Sequence, residues 1–295
     1  MAATSPFCSE TSRSVGEPLS ATASRVDHWI LVEYRGLWGR DALASSGLPE
    51  SVKRHLRERA RARPLTKLLF VRRTERRHHR GLAVYWGSSL ETGARMYSAE
   101  IARYDDLVGL DLASPGEPLQ HPLVLVCTHG KHDRCCARYG RPVYAALRDG
   151  LDEGWVWQAS HVGGDRFAGN LVVLPEGLYF GRVAPAEAWT VLDDYLARKV
   201  RLEHYRGRCC YAFAVQAAEY HVRVHADLPG IDHLRLDGAR RDDPRWLVRF
   251  AAPGGRTYDV SVRVEPGELT HMTCSDDELK RPPRFVAEIL RESAV

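Results

Sequence analysis

Three cysteines and two histidines lie within ten residues of one another in the stretch CTHGKHDRCCARYGRP, which runs from Cys127 to Pro142. The whole chain of 295 residues has only seven cysteines, an odd number without the spacing of a disulfide framework. In a reducing compartment, clustered cysteines are more often metal ligands or redox groups than structural disulfides. The cluster therefore predicts either a metal centre or thiol redox chemistry.

Four residues around this cluster have the right types to act as ligands. Cys127 and Cys136 are separated by eight residues, in a loop between a predicted strand and a predicted helix, and the next strand is followed by His161 and Asp165. Adjacent strands of an α/β layer deliver their carboxyl-end loops to one edge, so these side chains could converge. Thiolate and imidazole suit zinc or an iron-sulfur cluster. Structural zinc loops bring their cysteines closer in sequence, so the wider spacing favours a larger cluster.

The remaining residues near the cluster have plainer interpretations. Gly163 and Gly164 could let the backbone approach a bulky cofactor and point its amides at bridging sulfides. Cys135 is interpreted as a packed thiol, because two adjacent cysteines rarely bind the same metal. His129 and His132 are interpreted as polar loop residues rather than ligands.

The elements that must position these residues form an α/β unit. The apolar run LVLVCTH is a strand that ends at the cluster, a helix starts with Pro142, WVWQASH is a second strand, and a hairpin and an amphipathic helix follow. The chain is divided into four parts: residues 1–25 as a flexible lead-in, 26–118 as an N-terminal α/β segment, 119–202 as the α/β unit, and 203–295 as a C-terminal helix plus a small β-sheet extension.

Composition excludes several classes of protein. No stretch approaches the roughly 18 to 20 apolar residues of a membrane helix, so no membrane partner is expected. The N-terminus lacks the basic start and apolar run of a secretory signal, which predicts a cytoplasmic location. The net charge is +4, and the basic tract RRTERRHHR (Arg72 to Arg80) has no interleaved aromatic residues. It is interpreted as a solvated face, and no nucleic-acid partner is predicted.

Most of the chain resembles a known family. The stretch AGNLVVLPEGLYFGRVAPAEAWTVLDDYL is similar to the closing hairpin and helix of the thioredoxin-like 2Fe-2S ferredoxins. Together with CSETSRSVGEPLSATA, WILVEYRGLWG, CTHGKHDRCC and SHVGGDRFAGNL, it makes the chain resemble the sucrase/ferredoxin-like family. The resemblance implies a thioredoxin-like mixed sheet flanked by helices.

The resemblance also implies a cofactor and its ligands. In characterised relatives, two cysteines eight residues apart and two histidines in an HxxxH motif hold a 2Fe-2S cluster. Cys127, Cys136 and His161 match this pattern, whereas Asp165 stands where the second histidine would be. The fourth ligand is therefore left open among Asp165, Cys135 and Cys274.

Three functions follow from these observations. The first is an electron-transfer protein that carries a 2Fe-2S cluster between unidentified donor and acceptor proteins, a carrier rather than an enzyme. The second is a metal-free thiol-redox enzyme or sensor, although no CxxC pair follows the strand. The third is a structural zinc module that serves in interactions. Glycosidase activity is not expected, since no pair of carboxylates occurs in a sugar-cleaving context.

Overall fold

A computed structural model describes residues 7–74, 81–152 and 154–293 of the chain. The basic tract predicted as a solvated face falls mostly on residues 75–80, which lie outside the described residues. The α-helices of the described part are α1 (Cys8–Ser14), α2 (Glu50–Arg61), α3 (Arg134–Arg148), α4 (Ala188–Leu196) and α5 (Phe213–His225). Short 3-10 helices lie at Tyr104–Gly109, Asp165–Phe167, Pro185–Glu187, Ile231–His233 and Pro253–Gly255.

The first 208 residues contribute a ten-stranded mixed sheet, within the part of the chain that the structure describes. Its strands are β1 (His28–Glu33), β2 (Thr66–Arg72), β3 (Leu82–Ser88), β4 (Arg95–Ile101), β5 (Glu117–Pro118), β6 (Leu123–Cys127), β7 (Val156–Ala159), β8 (Leu171–Leu174), β9 (Leu178–Phe180) and β10 (Tyr205–Arg208). They lie in the order β10-β9-β8-β6-β7-β2-β1-β3-β4-β5. The pairs β1/β2 and β6/β7 are parallel and the other pairs are antiparallel, which confirms the predicted mixed α/β class.

This sheet runs without a break through three of the predicted parts of the chain, because β10 lies beyond the predicted boundary at residue 202. Strands β1 to β5 come from the N-terminal segment, and β6 to β10 come from residues 123–208. The halves meet where β2 pairs with β7, with Val71 opposite Ala159. The predicted boundary at residue 118 therefore separates two halves of one sheet, and the domain division itself stays a prediction.

Strand β6 carries Cys127 into the middle of the protein. Its residues Leu123, Leu125 and Cys127 pack in one core, whereas Val124 and Val126 pack in another together with helices α3 and α4. A strand buried on both faces reads as a continuous apolar run, which is why LVLVC lacks alternation. Cys127 therefore lies at the carboxyl end of a strand whose two faces are both buried.

Helix α3 begins eight residues before Pro142, the position predicted as its start. Asp133 is the N-cap, and its side chain accepts a hydrogen bond of 2.8 Å from the backbone amide of Cys135. The helix continues through Pro142 because one of its faces is buried from Cys135 through Leu147. The prediction that Cys136 lies in a loop is therefore wrong, because the residue lies in the first turn of this helix.

The sequence predicts no element before residue 26, but the structure has one. Helix α1 buries Cys8, Ser9 and Ser12, and the hydroxyl of Ser12 donates to Glu17 at 2.7 Å. Its buried face consists of small and polar residues, so it lacks the apolar period by which amphipathic helices are recognised. Residues 8–14 thus pack against the protein rather than forming a flexible lead-in.

The C-terminal part adds helix α5 and a second sheet. This sheet is antiparallel, in the order β11 (Arg235–Asp242), β12 (Arg245–Ala251), β13 (Thr257–Pro266) and β16 (Pro283–Ser293). A two-stranded ladder of β14 (Thr270–His271) and β15 (Leu279–Lys280) lies between β13 and β16 in sequence. None of the helices in the described residues has the length and apolar character needed to cross a membrane.

We expect Gly140→Ala to destabilise the protein, because a Cβ atom there would overlap the backbone carbonyl of Cys127. The substitution should lower the free energy of unfolding by about 1–3 kcal/mol, as overpacking does, although alanine is otherwise favoured over glycine in helices. Urea denaturation measures this change. Gly109→Ala is the control, since its Cβ would meet nothing within 4 Å; equal effects of both substitutions would contradict the close packing of α3 on β6.

Candidate metal centre

The structure brings all four predicted ligands to one place. Cys127 ends β6, Cys136 lies in the first turn of α3, and His161 follows β7; one donor atom of each lies within 4.8 Å of the others. Asp165 opens a short 3-10 helix, and its Oδ1 lies 3.2 Å from Cys136 Sγ and 2.9 Å from His161 Nδ1. Cys136 Sγ lies 4.0 Å from His161 Nδ1. Cys127, Cys136 and His161 therefore form one compact group, and Asp165 lies beside it in contact with Cys136 and His161.

The thiols and the imidazole of this site affect one another's protonation. A hydrogen bond from Cys136 holds the pKa of the Cys127 thiol well below its usual range, and that thiolate raises the pKa of Cys136. Burial alone would lower the pKa of His161, but its bonds to Asp165 and Cys127 outweigh burial and raise it to about 9. Burial alone would raise the pKa of Asp165, but the hydrogen bond and the charge of His161 outweigh burial, so the pKa of Asp165 is lowered. Without metal, the site therefore pairs an imidazolium with a thiolate and a carboxylate.

Two cations, the partly buried Lys67 and the buried Arg206, interact with these anionic groups. Burial lowers the pKa of Lys67 to about 8 and that of Arg206 to about 10, and the Cys127 thiolate opposes both decreases. The Arg206 guanidinium donates to the Gly163 carbonyl at 2.9 Å and to Asn170 Oδ1 at 2.8 Å. Buried charges are costly unless they are hydrogen-bonded or offset. Lys67 and Arg206 therefore help to hold negative charge at the four-residue site.

Gly163 and Gly164 have a structural reason to be glycine. Their φ angles are 111° and 81°, a region that residues with a Cβ rarely adopt. A Cβ at Gly163 would overlap the hydroxyl of Ser24, and one at Gly164 would overlap the guanidinium of Arg206. These neighbours account for both glycines, and their predicted approach to a cofactor stays a prediction.

His129 and His132, both interpreted from the sequence as polar loop residues, make different contacts in the structure. His129 uses both ring nitrogens, since Nδ1 accepts from the His161 amide at 3.2 Å and Nε2 bonds the Gly39 carbonyl at 2.6 Å. His132 stacks on His161 with ring centroids 3.8 Å apart, and its Nε2 lies 3.9 Å from Asp165 Oδ2. His132 is thus a further candidate ligand, which the sequence did not reveal because the contact depends on tertiary structure.

The other two candidates for the fourth ligand lie elsewhere. Cys135 Sγ and Cys274 Sγ are 3.2 Å apart and form a separate group with Cys8 and Asp133. Cys135 and Cys136 are adjacent in helix α3, where successive side chains point about 100° apart. The structure therefore leaves Asp165 and His132 as the candidates that complete the site.

The site is closed except on its histidine side. Cys127, Cys136 and Asp165 are buried, whereas the side chain of His161 is 23% exposed. His132 and His161 border a cleft of about 490 Å³, which Arg40 and Asp41 also line. A metal ion or a partner molecule would reach the site from this cleft.

Fold and site together define a mixed α/β protein with a buried thiol, imidazole and carboxylate group that opens on one side. The family profile described as sucrase/ferredoxin-like matches residues 19–207, which is more than half of the chain. The chain belongs to the sucrase/ferredoxin-like family, as the sequence resemblance predicted.

Several curated relatives share one name, Altered inheritance of mitochondria protein 32. The protein from Eremothecium gossypii is 31% identical over 125 residues, which cover 37% of this chain and 40% of the relative. That from Saccharomyces kudriavzevii is 31% identical over 105 residues (31% and 34%), and that from Meyerozyma guilliermondii is 32% identical over 95 residues (29% and 34%). The aligned stretch thus spans 40% or less of the length of these relatives. No solved structure matches this chain.

These comparisons correct the predicted function. The relatives are named for the inheritance of mitochondria, and neither their names nor the family match provides a sign of 2Fe-2S electron transfer. The comparisons therefore contradict the interpretation of the chain as an iron-sulfur electron carrier, which is wrong. The predictions about donor, acceptor, nucleic-acid and membrane partners stay predictions.

In metal-free protein we expect His161 to titrate near pH 9, because its folded pKa is raised to about 9 from 6.5. Its protonation therefore stabilises the folded state fully below pH 6.5, and this contribution is lost as the pH rises from 6.5 to about 9. Asp165→Asn should move the pKa down, since burial remains while the carboxylate is lost. NMR titration of the ring, with denaturation at several pH values, measures both effects.

The control for this titration is Asp149→Asn, because Asp149 has an exposed side chain and is paired with Arg148 rather than with the site. It should leave the His161 titration unchanged. An unaltered His161 pKa in Asp165→Asn would show that the carboxylate does not govern this imidazole.

Proposed function

We propose that this chain is a metal-binding protein whose principal centre consists of Cys127, Cys136, His161 and Asp165. The observation that carries the proposal is their proximity: the donor atoms of Cys136, His161 and Asp165 are 2.9–4.0 Å apart, and those of Cys127, Cys136 and His161 lie within 4.8 Å of one another. Zinc bonds to sulfur and nitrogen are about 2.0–2.3 Å long, so two ligands of one tetrahedral ion lie ~3.3–3.8 Å apart. The contacts among Cys136, His161 and Asp165 are therefore close to the spacing of ligands on one ion, and Cys127 lies within 4.8 Å of Cys136 and His161.

The chemistry of the donors favours a thiophilic transition metal. Thiolate and imidazole ligands select zinc and iron over magnesium and calcium, which require mainly oxygen. Binding requires Cys136 to lose its thiol proton and His161 to lose the proton on Nδ1. Lys67 and Arg206 offset part of the negative charge that remains on two thiolates and a carboxylate.

The 2Fe-2S cofactor predicted from the sequence remains a proposal about the same centre. Such a cluster holds its ligands in pairs on two irons, and a pair of imidazoles can replace a pair of thiolates. Cys127 and Cys136 would supply the thiolates, and the stacked His161 and His132 would supply the imidazoles. The donor set therefore accepts either occupant, and no electron-transfer role is attached to the cluster here.

The proposal extends to the finer fold and to the compartment. The strand order β9-β8-β6-β7, with α3 crossing between parallel β6 and β7 and α4 following the β8-β9 hairpin, supports a thioredoxin-like arrangement of residues 119–202. All seven cysteines are free thiols, which suits the reducing cytoplasmic setting predicted from the sequence. An experimental structure and localisation of a tagged full-length chain test these two points.

Metal and acid-labile sulfide analysis of anaerobically purified protein tests the metal-binding function. We expect Cys136→Ser and His161→Gln each to lose the metal of this centre, because too few strong donors remain. A loss of about one metal ion without sulfide identifies a single ion, whereas a loss of about two irons with two sulfides identifies the cluster. Asp165→Asn and His132→Gln then show which side chain completes the site, since the ligand is the one whose loss lowers metal content.

Cys210→Ser is the matched control, because this partly buried thiol belongs to neither group of possible ligands. It should retain the full metal content. The proposal is overturned if Cys136→Ser and His161→Gln bind as much metal as the unmodified protein, or if a reversible disulfide joins Cys127 to Cys136 in protein that takes up no metal.

A further inference from the structure

Three further cysteines meet beside the first site. Cys8 Sγ lies 3.6 Å from Cys135 Sγ and 3.6 Å from Cys274 Sγ, and the latter two sulfurs are 3.2 Å apart. They come from helix α1, from the first turn of α3 and from the turn between β14 and β15. Residues separated by 127 to 266 positions in sequence thus form a nearly equilateral triangle of thiols.

The spacing of this triangle fits one metal ion. A disulfide joins two sulfurs at about 2.0 Å and leaves a third without a role. Two thiolates on one tetrahedral zinc lie ~3.8 Å apart, close to each of the three separations here. Three mutually close sulfurs are therefore explained by a shared ion and not by a disulfide.

The carboxylate of Asp133 lies beside the triangle and could supply the fourth ligand. Both oxygens of Asp133 lie 3.9 Å from Cys8 Sγ. Its Oδ1 accepts from the Cys135 amide at 2.8 Å, and its Oδ2 accepts from the Cys274 amide at 2.6 Å. Asp133 thus fixes the backbones of two of the cysteines and still presents an oxygen to the centre. Ser9 Oγ, 3.1 Å from Cys135 Sγ, can donate to a thiolate.

The position of the group indicates what an ion there would do. Cys8, Cys135 and Asp133 are buried and Cys274 is partly buried, so the group is enclosed on most sides. Structural zinc sites are closed four-ligand sites of this kind, and their binding energy contributes directly to folding. An ion held here would join helix α1 and the C-terminal turn to helix α3.

We propose that Cys8, Cys135 and Cys274, with Asp133 as the fourth ligand, form a second, structural site for Zn²⁺. The site is separate from the first one, because no ligand is shared between them. Cys8 and Cys274 also lie outside residues 19–207, the stretch that the family profile matches. The second site therefore rests on the geometry of this chain rather than on the family.

Zinc analysis of the full-length chain, purified under reducing conditions from zinc-supplemented medium, tests the second site. Cys8→Ser and Cys274→Ser should each bind about one zinc equivalent less than the unmodified protein, because a site reduced to two thiolates binds weakly. Both variants should retain the metal of the Cys127 centre, and Cys136→Ser should retain the second zinc. The two proposals can therefore fail independently.

A measurement on the unmodified protein covers the case in which these variants do not fold. Zinc should protect Cys8, Cys135 and Cys274 from alkylation, and a strong chelator should make all three reactive together, as mapped by mass spectrometry. Cys210, which lies outside the group, should react equally with and without chelator.

Undiminished zinc in both cysteine variants would overturn the second site. So would a disulfide between any two of the three cysteines in the zinc-treated protein, or alkylation of the three that does not depend on the chelator.

Discussion

The arrangement of both cysteine groups depends on one carboxylate, that of Asp133. One of its oxygens caps helix α3 at Cys135, and the other binds the amide of Cys274. Burial raises its pKa to about 6, so the carboxylate is held in an unfavourable environment by the amides it binds. Because the cap fixes where α3 begins, it also fixes the directions of Cys135 and Cys136, which leave the helix about 100° apart.

This divergence produces two sites of different character within one helical turn. The site of Cys136 combines thiols with an imidazole and a carboxylate, and its histidine side opens to a cleft. The site of Cys135 is richer in sulfur, and it joins helix α1 and the turn between β14 and β15 to helix α3. Open sites with mixed ligands suit exchange or reaction, whereas closed thiolate sites suit structure. The two groups would therefore serve different purposes even with the same metal.

Family membership and function are supported to different extents. All four residues of the first site lie within residues 19–207, the stretch that the family profile matches. The curated relatives are named for mitochondrial inheritance and align over less than half of their length. What this chain does is therefore argued from its donor atoms, since a shared fold does not determine function.

The sequence by itself determined the mixed α/β class and the family, because apolar runs and motif spacing are local signals, and it named four candidate ligands that the structure then places near one another. It misplaced the start of α3, because Pro142 suggested a helix start although Asp133 caps the helix locally by accepting from the Cys135 amide. It missed helix α1, whose buried face is small and polar. Only the tertiary structure decided that His132 stacks on His161 and that Cys8 meets Cys135 and Cys274, because contacts between distant segments leave no periodic pattern in the sequence.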